Sequence, residues 1–310
     1  MKTAIESRKF GATGLTVSLL GYGSASIWGD AGGKSKRIDE QIEDADIGRL
    51  LNGLLDAGVT LMDTAGMYGL AERRIGRHIA HRRSEYVISS KCGYDNDMNV
   101  DWSPAALTSG IERSLRDLKT DTIDIMHLHS CDLSVLKEGA AIEALEKARA
   151  AGKVRHVAYS GDNEALEWAI DSGRFASVET SVNICDQRVL DAALGRAAQR
   201  ELGVIVKRPI ANVWWQFSEK PVGKYCLPYW ERGKAMGLDP AEFGGLSWNE
   251  LFLRFSAFQP GVSSCIVGTT KLAHVAENIA ALAKGPLPAD AVSRLRALFR
   301  KHDAGWKGQQ

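Results

Sequence analysis

Four side chains that can move or hold a proton lie at or just beyond the ends of three short strand-like segments. These residues are Asp63, Tyr68, Lys91 and His129. Strand ends of this kind deliver their side chains to one rim of an α/β fold, so we expect the four groups to meet. A phenol beside a cation can lose or share its proton near neutral pH. The set therefore predicts a site that donates a proton to a substrate.

Strand-like segments alternate with helical patterns along the chain. The first strand precedes Trp28, and the other seven are predicted at residues 60–63, 85–91, 122–129, 154–160, 177–182, 203–209 and 263–268. Helices are predicted to end near Gly58 and to cover residues 73–82, 103–118, 138–151, 162–170, 189–201 and 273–283. Asp162 is interpreted as the cap of the helix that runs to residue 170. Eight such units predict an α/β fold, a (β/α)8 TIM barrel.

An open doubly wound sheet is the alternative architecture. It is weakened because no Gly-x-Gly-x-x-Gly sequence follows the early strands. Residues 10–17 are interpreted as an N-terminal β-hairpin that caps the barrel bottom. Residues 210–247 form an irregular aromatic-rich loop, which we interpret as a lid or pocket wall, with a local aromatic core as the other reading. The whole chain, residues 1–310, is predicted to be a single domain.

Composition is that of an ordinary water-soluble protein. The 310 residues are 45% hydrophobic and 25% charged, with a net charge of +1. This balance predicts no nucleic-acid or membrane partner, and neither a membrane-spanning run nor a signal peptide is visible. Five scattered cysteines show no metal or disulfide spacing, so a reducing cytoplasm is expected and no metal is predicted. Oligomeric state is open.

Several segments together resemble the aldo-keto reductase superfamily over nearly the whole chain. They cover residues 8–18, 54–69, 90–91, 124–129, 267–270 and 277–278. Asp-Thr-Ala-x-x-Tyr-Gly at residues 63–69 is moderately specific alone, and it becomes strong with Lys91 and His129 correctly placed. The resemblance implies a (β/α)8 barrel, a nicotinamide cofactor bound at the strand ends, and reduction of aldehydes or ketones.

The resemblance also implies a role for each of the four rim residues. Tyr68 would be the general acid that protonates the carbonyl oxygen. Lys91 would lower the pKa of Tyr68, and Asp63 would hold Lys91 by an ion pair. His129 would orient the carbonyl, whereas His127, two residues earlier, is expected one layer deeper as a core histidine. The competing interpretation of Asp63 and Lys91 is a purely structural ion pair.

Cofactor contacts implied by the resemblance include three departures from the family pattern. Ser160 matches the serine that binds the nicotinamide carboxamide, but Gly161 stands where asparagine is usual. Glu179 replaces a glutamine, and its carboxylate could still accept from the amide NH2. Lys207 stands where many members carry an aromatic that stacks on the ring. Trp214 or Trp215 could take over that stacking.

The remaining cofactor contacts are expected around the last strand and the first. They are Gly23, Ser24, Arg208, Gly268, Thr269, Thr270, Lys271, His274, Glu277 and Asn278. The helix after residue 270 offers free amides to phosphate, with Lys271 and His274 in its first turn. NADP(H) is therefore favoured, and NAD(H) stays possible because His274 stands where an arginine is often found. Trp28 and Trp214 are predicted to line the substrate pocket.

The leading functional hypothesis is an NADP(H)-dependent oxidoreductase that reduces carbonyls of small molecules, with hydride from the nicotinamide and a proton from Tyr68. An NAD(P)-dependent sugar or polyol dehydrogenase is the alternative that the departures at Lys207 and His274 motivate. A nucleotide-sensing regulatory subunit with weak turnover is a third hypothesis. A metal-dependent hydrolase is a poor fourth, because Lys91 would have to become a carboxylated bridge.

Overall fold

A closed barrel of eight parallel strands forms the centre of the protein. The computed structural model describes residues 5–29 and 43–309. Two hairpin strands come first, β1 (Ser7–Lys9) and β2 (Thr16–Ser18). The barrel strands are β3 (Leu20–Gly23), β4 (Leu61–Asp63), β5 (Val87–Cys92), β6 (Ile123–His129), β7 (Val154–Ser160), β8 (Ser177–Ser181), β9 (Gly203–Lys207) and β10 (Ser264–Val267). They neighbour one another in chain order, and β10 closes onto β3. The predicted (β/α)8 barrel is confirmed.

Helices connect the strands on the outside of the barrel. They are α1 (Asp44–Asp56), α2 (Ala71–His78), α3 (Pro104–Leu118), α4 (Leu133–Glu138), α5 (Ala140–Ala150), α6 (Asn163–Asp171), α7 (Ala193–Gln199), α8 (Leu227–Ala235), α9 (Trp248–Ala257), α10 (Leu272–Leu282) and α11 (Ala289–His302). Helix crossovers of this kind are what parallel neighbouring strands require. Most residues of the barrel strands are thereby buried.

Local sequence signals explain where several helices begin and end. The Ser103 hydroxyl accepts a hydrogen bond from the Ala106 N–H at 3.3 Å, and Pro104 fills the first helical position of α3. Gly58 has φ of +90°, and its N–H donates to the Leu55 carbonyl at 2.9 Å, so it terminates α1 as predicted.

Three predicted helices are shorter than expected or broken. The helix predicted at residues 138–151 is two helices, because Gly139 adopts φ of +86° and separates α4 from α5. The helices predicted at residues 73–82 and 189–201 each include a 3-10 turn, at Ala80–Glu85 and at Arg188–Leu190. Hydrophobic periodicity does not distinguish these tighter turns from an α-helix.

The N-terminal hairpin fills the bottom of the barrel, as predicted. Strands β1 and β2 pair antiparallel, and Phe10 between them is fully buried. Phe10 packs in an apolar cluster with Val17 of β2 and with residues of the barrel strands, namely Leu61, Val87, Ile125, Ala158, Ile205 and Ile266. A Cβ at Gly203 would lie 2.5 Å from the Phe10 ring, so the glycine leaves the space that the plug occupies.

Residues 210–247 are more regular than predicted, because they contain α8 and two 3-10 turns. Their aromatic side chains form a second core with α9. The Trp215 and Trp248 rings stack with centroids 5.5 Å apart, and Trp214 lies edge-on to Trp248 at 5.2 Å. The structure therefore confirms the aromatic-core interpretation. A lid role for the segment stays a prediction.

Within residues 5–29 and 43–309, no helix has the length and apolarity that a membrane crossing needs. The single-domain prediction includes residues 1–4, 30–42 and 310, which lie outside the described ranges, and it stays a prediction.

Candidate active site

The predicted rim residues lie together at the carboxyl ends of neighbouring strands. Asp63 ends β4, Lys91 is the penultimate residue of β5, and His129 ends β6. In the sheet register Lys91 is level with His127, and His129 is level with Ser160 at the end of β7. The parallel pairing of successive strands thus brings side chains from distant segments to one end of the barrel.

Lys91 forms a buried ion pair with Asp63. Its ammonium Nζ donates to the two carboxylate oxygens of Asp63 at 2.7 and 2.6 Å and to the Thr64 carbonyl at 3.0 Å. Both side chains are almost completely buried. A hydroxyl donor, Ser89 Oγ, adds a further hydrogen bond to Asp63 at 2.8 Å. The geometry therefore fixes the position of the ammonium.

Glu179 is a second carboxylate partner of Lys91, which sequence reasoning did not foresee. Its Oε2 lies 3.2 Å from Nζ. Burial and the charge of Glu179 raise the pKa of Asp63 to about 8, whereas Lys91 overcomes burial and lowers the pKa of Glu179 to about 2. The two carboxyls face the same ammonium, so the protonation of one depends on the charge of the other.

Tyr68 stands beside this cluster, in the turn that follows β4. The Lys91 ammonium lies 5.7 Å from the centre of the Tyr68 ring. Burial raises the pKa of Tyr68 to about 12; Lys91 lowers it, but Asp63 and Glu179 act in the opposite direction. Lys91 therefore lowers the pKa of Tyr68 as expected, but burial outweighs this contribution and the net shift is upward. At neutral pH the phenol keeps its proton and is available as a donor.

Both histidines of β6 are neutral in this environment. The His129 ring meets the Tyr68 ring edge-on at 6.0 Å between centroids. Burial, with Lys91, holds the pKa of His129 well below its usual value. His127 is fully buried, its Nε2 lies 3.1 Å from Ser89 Oγ, and burial lowers its pKa to about 4. The prediction of His127 as a deeper core residue is confirmed.

Several buried polar atoms around this cluster make no hydrogen bond within the described part of the chain, among them Thr64 Oγ1, His127 Nδ1, Ser160 Oγ and Glu179 Oε2. Ser160 and Glu179 are level with each other on β7 and β8, and Glu179 Oε2 has only its 3.2 Å ionic contact with Lys91. Ser24 Oγ, after β3, is another such atom. A hydroxyl donor beside a carboxylate acceptor matches a carboxamide, which offers one oxygen and one NH2 group. The predicted cofactor residues Ser160 and Glu179 therefore fit a nicotinamide amide.

Asp162 belongs to the rim, and the predicted capping role for it is wrong. It precedes α6, but its side chain makes no capping hydrogen bond. Its carboxylate instead accepts from Thr180 Oγ1 at 2.8 Å and from the Ser181 N–H at 2.9 Å, and pairs with Lys207 at 3.0 Å. Lys207, where a stacking aromatic was expected from the resemblance, is thus held at the end of β9. The available signal in the sequence was Lys207 itself, because a lysine at the end of a buried strand needs an acidic partner.

Gly161 is explained by the ring beside it. A Cβ at this position would lie 2.2 Å from the Tyr159 hydroxyl, which donates to the Cys131 carbonyl at 3.1 Å. The asparagine usual in similar chains has no room here. The backbone of Gly161 still contributes, because its N–H donates to the Glu179 carbonyl at 3.0 Å.

Gly161→Ala is expected to destabilise the protein by about 1–3 kcal/mol, because overpacking forces the Tyr159 ring or the backbone to move. Gly195→Ala is the matched control. Gly195 lies in α7, and a Cβ there would meet nothing within 4 Å. Gly195→Ala should leave the stability unchanged or increase it slightly. Chemical denaturation of both variants compares them; equal stabilities would contradict the steric account.

Predicted phosphate-binding residues follow β10 and begin α10. The Thr269 carbonyl accepts from the Tyr22 hydroxyl at 3.1 Å, and a Cβ at Gly268 would lie 3.1 Å from the Gly23 carbonyl oxygen. This tight packing of β10 against β3 fixes the turn. On α10 the exposed predicted residues are Lys271, His274 and Glu277.

The last predicted contact, Asn278, is turned inward. It is buried, and its Oδ1 accepts from Asn249 Nδ2 at 2.7 Å. His274 Nδ1 lies 3.0 Å from Thr269 Oγ1, which ties the first turn of α10 to residues 268–270. Cofactor contacts by Thr270, Asn278 and the others of this group stay predictions.

Arg208 connects the rim to the C-terminal segment, which sequence reasoning missed. It has φ of +56°, donates to Ser181 Oγ at 2.6 Å and to the Gln309 carbonyl, and also hydrogen-bonds the Tyr225 hydroxyl. Asn163 and Gly308 exchange two hydrogen bonds, at 2.8 and 3.1 Å. Residues 308–309 therefore lie against the ends of β7, β8 and β9. No local pattern in the sequence signals this docking.

The two tryptophans predicted for the substrate pocket lie in different places. The Trp28 ring is buried 5.0 Å from the Tyr68 ring, in a small cluster with Ala65 and Met67. Trp214 belongs to the second core, where a Cβ at Gly233 would lie 2.2 Å from its ring. The structure therefore explains Trp214 by packing, and a substrate contact by either tryptophan stays a prediction.

In the part of the chain that the structure describes, no three His, Cys, Asp or Glu side chains are grouped so that they could hold a metal ion.

Known proteins share this fold and sequence pattern. The model of the Aldo/keto reductase family matches residues 19–300. L-galactose dehydrogenase of Arabidopsis thaliana is 26% identical over 292 residues, which cover 90% of this chain and 89% of that protein. The holo form of an aldo-keto reductase from Bacillus halodurans superposes with a TM-score of 0.79 at 23% identity, over 95% of this chain and 96% of the other.

A second solved structure is an aldo-keto reductase from Klebsiella pneumoniae in complex with NADPH. It superposes with a TM-score of 0.70 at 24% identity, over 96% of this chain and 95% of the other. Structural likeness at these identities shows the fold, whereas the family match extends over most of the sequence. The chain therefore belongs to the aldo/keto reductase family.

Proposed function

We propose that this protein is an NADP(H)-dependent oxidoreductase that reduces aldehyde or ketone carbonyls to alcohols. The observation that carries the proposal is the buried Lys91 ammonium, fixed by Asp63 at 2.6 Å and 5.7 Å from the Tyr68 ring centre. A protonated phenol beside a fixed cation can donate a proton to a carbonyl oxygen and stabilise the negative charge that develops there. The proposed catalytic residues are therefore Tyr68, Lys91, Asp63 and His129.

The cofactor, when bound, would supply the hydride. Ser160 and Glu179 would hold the carboxamide, because both present buried atoms that lack a hydrogen-bond partner among the described residues. Neutral His129 would donate a hydrogen bond to the substrate oxygen without competing with Tyr68 as an acid. Trp28, packed on Tyr68, would form an apolar wall that excludes water from the reacting carbonyl.

Lys271 and His274 support NADP(H) over NAD(H). Both are exposed at the start of α10, where free amide groups and basic side chains favour a phosphate. The Klebsiella pneumoniae neighbour was solved with NADPH, which agrees with this choice.

Lys271→Ala is expected to weaken NADPH binding by about tenfold and NADH binding much less, since one charged contact with a phosphate contributes about 1–2 kcal/mol. Lys301→Ala, an exposed lysine on α11, is the matched control and should change neither affinity. Titration of tryptophan fluorescence with both cofactors measures this. Equal losses for NADPH and NADH in the Lys271 variant would remove the argument for NADP(H).

A second candidate is the oxidation of sugar hydroxyls by an NAD(P)-dependent dehydrogenase. L-galactose dehydrogenase is similar to this chain over most of its length. The same four residues serve both directions, with Tyr68 acting as base when an alcohol is oxidised. The carboxylate of Glu179 would favour binding of the cationic, oxidised cofactor, which is the form that such an oxidation starts from.

A panel assay tests the proposed function. NADPH consumption is followed over aldehydes, ketones and sugar-derived carbonyls, and NADP+ reduction over free sugars and polyols. Turnover of carbonyls by NADPH is the expected result, whereas turnover of sugars alone would favour the second candidate. Tight NADPH binding without turnover of any compound would instead favour a nucleotide-sensing subunit and contradict the proposal.

A further inference from the structure

We propose that Glu179 makes this site discriminate between the two redox states of its cofactor, shifting binding toward the oxidised, cationic nicotinamide. The inference rests on the proposed function, because it assumes that the ring binds at this rim. It adds a property of this chain's own residue, which stands where a neutral glutamine is usual.

The position of Glu179 is the first support. Glu179 is level with Ser160 on the neighbouring strand. Ser160 Oγ and Glu179 Oε2 are both buried, and neither makes a hydrogen bond within the described ranges, although Glu179 Oε2 has an ionic contact with Lys91. The carboxamide that these atoms fit is bonded directly to the nicotinamide ring. A carboxylate that accepts from its NH2 group therefore lies within a few ångströms of the ring charge, where Coulomb interaction is strong.

Charge around Lys91 is the second support. This one ammonium has two carboxylate partners, Asp63 at 2.6 Å and Glu179 at 3.2 Å, so the three groups carry a surplus negative charge when both carboxyls are ionised. The next cation along the rim, Lys207, is nearer to Asp162, at 3.0 Å. A cationic ring beside Glu179 would balance the surplus, and a neutral dihydronicotinamide would not.

In carbonyl reduction, the bound cofactor would supply a hydride, with both bonding electrons, to the carbonyl carbon, and its neutral ring would thereby become cationic. Tyr68 transfers its proton to the carbonyl oxygen. Positive charge therefore develops next to Glu179 only in the direction of carbonyl reduction. An anionic Glu179 then stabilises the oxidised cofactor relative to the reduced one on the protein.

Binding measurements on three proteins test this inference. Dissociation constants for NADP+ and NADPH are measured by tryptophan fluorescence for the wild type, Glu179→Gln and Ser160→Ala. In Glu179→Gln the ratio of the NADP+ constant to the NADPH constant should rise by about tenfold, equivalent to about 1.4 kcal/mol. Ser160→Ala, which removes a neutral contact with the same carboxamide, should weaken both forms in equal proportion.

Three outcomes would overturn the inference. One is a ratio in Glu179→Gln within about twofold of the wild type, and another is an equal change of ratio in Ser160→Ala. Both would leave the proposed function standing, because the cofactor would still bind. If the wild type binds neither NADP+ nor NADPH, the proposed function itself fails and the inference fails with it.

A wild-type experiment covers the case in which Glu179→Gln does not fold. Burial raises the pKa of one carboxyl of the Asp63 and Glu179 pair, to about 8 for Asp63. A cationic ring binds better to the deprotonated pair, so NADP+ affinity should increase relative to NADPH affinity from about pH 6 to about pH 9. Both cofactor forms carry the same 2′-phosphate, so its titration cancels in the ratio of the two dissociation constants.

Several other groups face the Asp63 and Glu179 carboxyls. They are Lys91, Ser89, His127, His129, Tyr68 and Lys207. Both histidines have pKa values lowered by burial, and the pKa of Tyr68 is raised to about 12, so these groups do not titrate across this window. A ratio independent of pH would contradict the inference.

Discussion

Tyr68→Phe is expected to reduce the rate of carbonyl reduction by about 10²–10⁴-fold, because the variant lacks the proton donor and retains the ring. Cofactor binding should change little, since the phenol does not belong to the group of residues that fits the carboxamide. Single-turnover oxidation of NADPH measures the chemical step, and the quenching of tryptophan fluorescence measures binding. The two readouts separate a catalytic loss from a folding defect.

His127→Asn is a useful comparison for Tyr68→Phe, because His127 is buried one layer below the rim and touches Ser89. Its replacement should reduce stability more than it changes the chemical step. A Tyr68→Phe variant that keeps more than about a tenth of the wild-type single-turnover rate would show that another group donates the proton.

Lys91→Met is expected to lower the free energy of unfolding by about 3–5 kcal/mol and to abolish turnover. It removes the cation that faces two buried carboxyls and leaves their negative charge uncompensated. Thermal and urea unfolding measure the stability loss, and it should shrink at lower pH because the carboxyls of Asp63 and Glu179 can then protonate. The double variant Lys91→Met/Glu179→Gln should recover part of it.

Lys220→Met provides the matched control for the loss of a lysine. Lys220 pairs with Glu231 at 2.6 Å, but both side chains are about half exposed. An exposed pair contributes only about 0–1 kcal/mol. A stability loss in Lys91→Met as small as in Lys220→Met would mean that the buried pair is not the structural and electrostatic centre of the site.

Strand ends could be predicted from the sequence because parallel neighbouring strands leave little freedom. Asp63, Lys91 and His129 follow apolar segments of the right length, and closure of eight units brings them to one rim. The start of α3 could also be predicted from neighbouring residues alone, because Ser103 caps the helix and Pro104 occupies its first position. Features fixed by neighbours in sequence are thus the ones that sequence reasoning finds.

Long-range charge pairs outside the Asp63–Lys91 pair, which the resemblance implied, could not be predicted in this way. Asp162 was interpreted as a helix cap because it precedes α6, but its carboxylate is held by Lys207 and by the Ser181 backbone from other strands. The pKa of Tyr68 was misjudged for a similar reason: Lys91 was evident, whereas burial and the second carboxylate, Glu179, appear only when the barrel is closed. Both errors arise from tertiary burial, which spacing does not encode.

Transfer of a deuterium label tests the central claim most directly. NADPH carrying deuterium at one or the other C4 position is incubated with the protein and a carbonyl compound that it reduces, and the alcohol is analysed by mass spectrometry. We predict one deuterium on the former carbonyl carbon from one of the two labelled cofactors and none from the other, with product formed about 10²–10⁴-fold more slowly by Tyr68→Phe. Alcohol free of deuterium with both cofactors, or formed as fast by Tyr68→Phe, would contradict it.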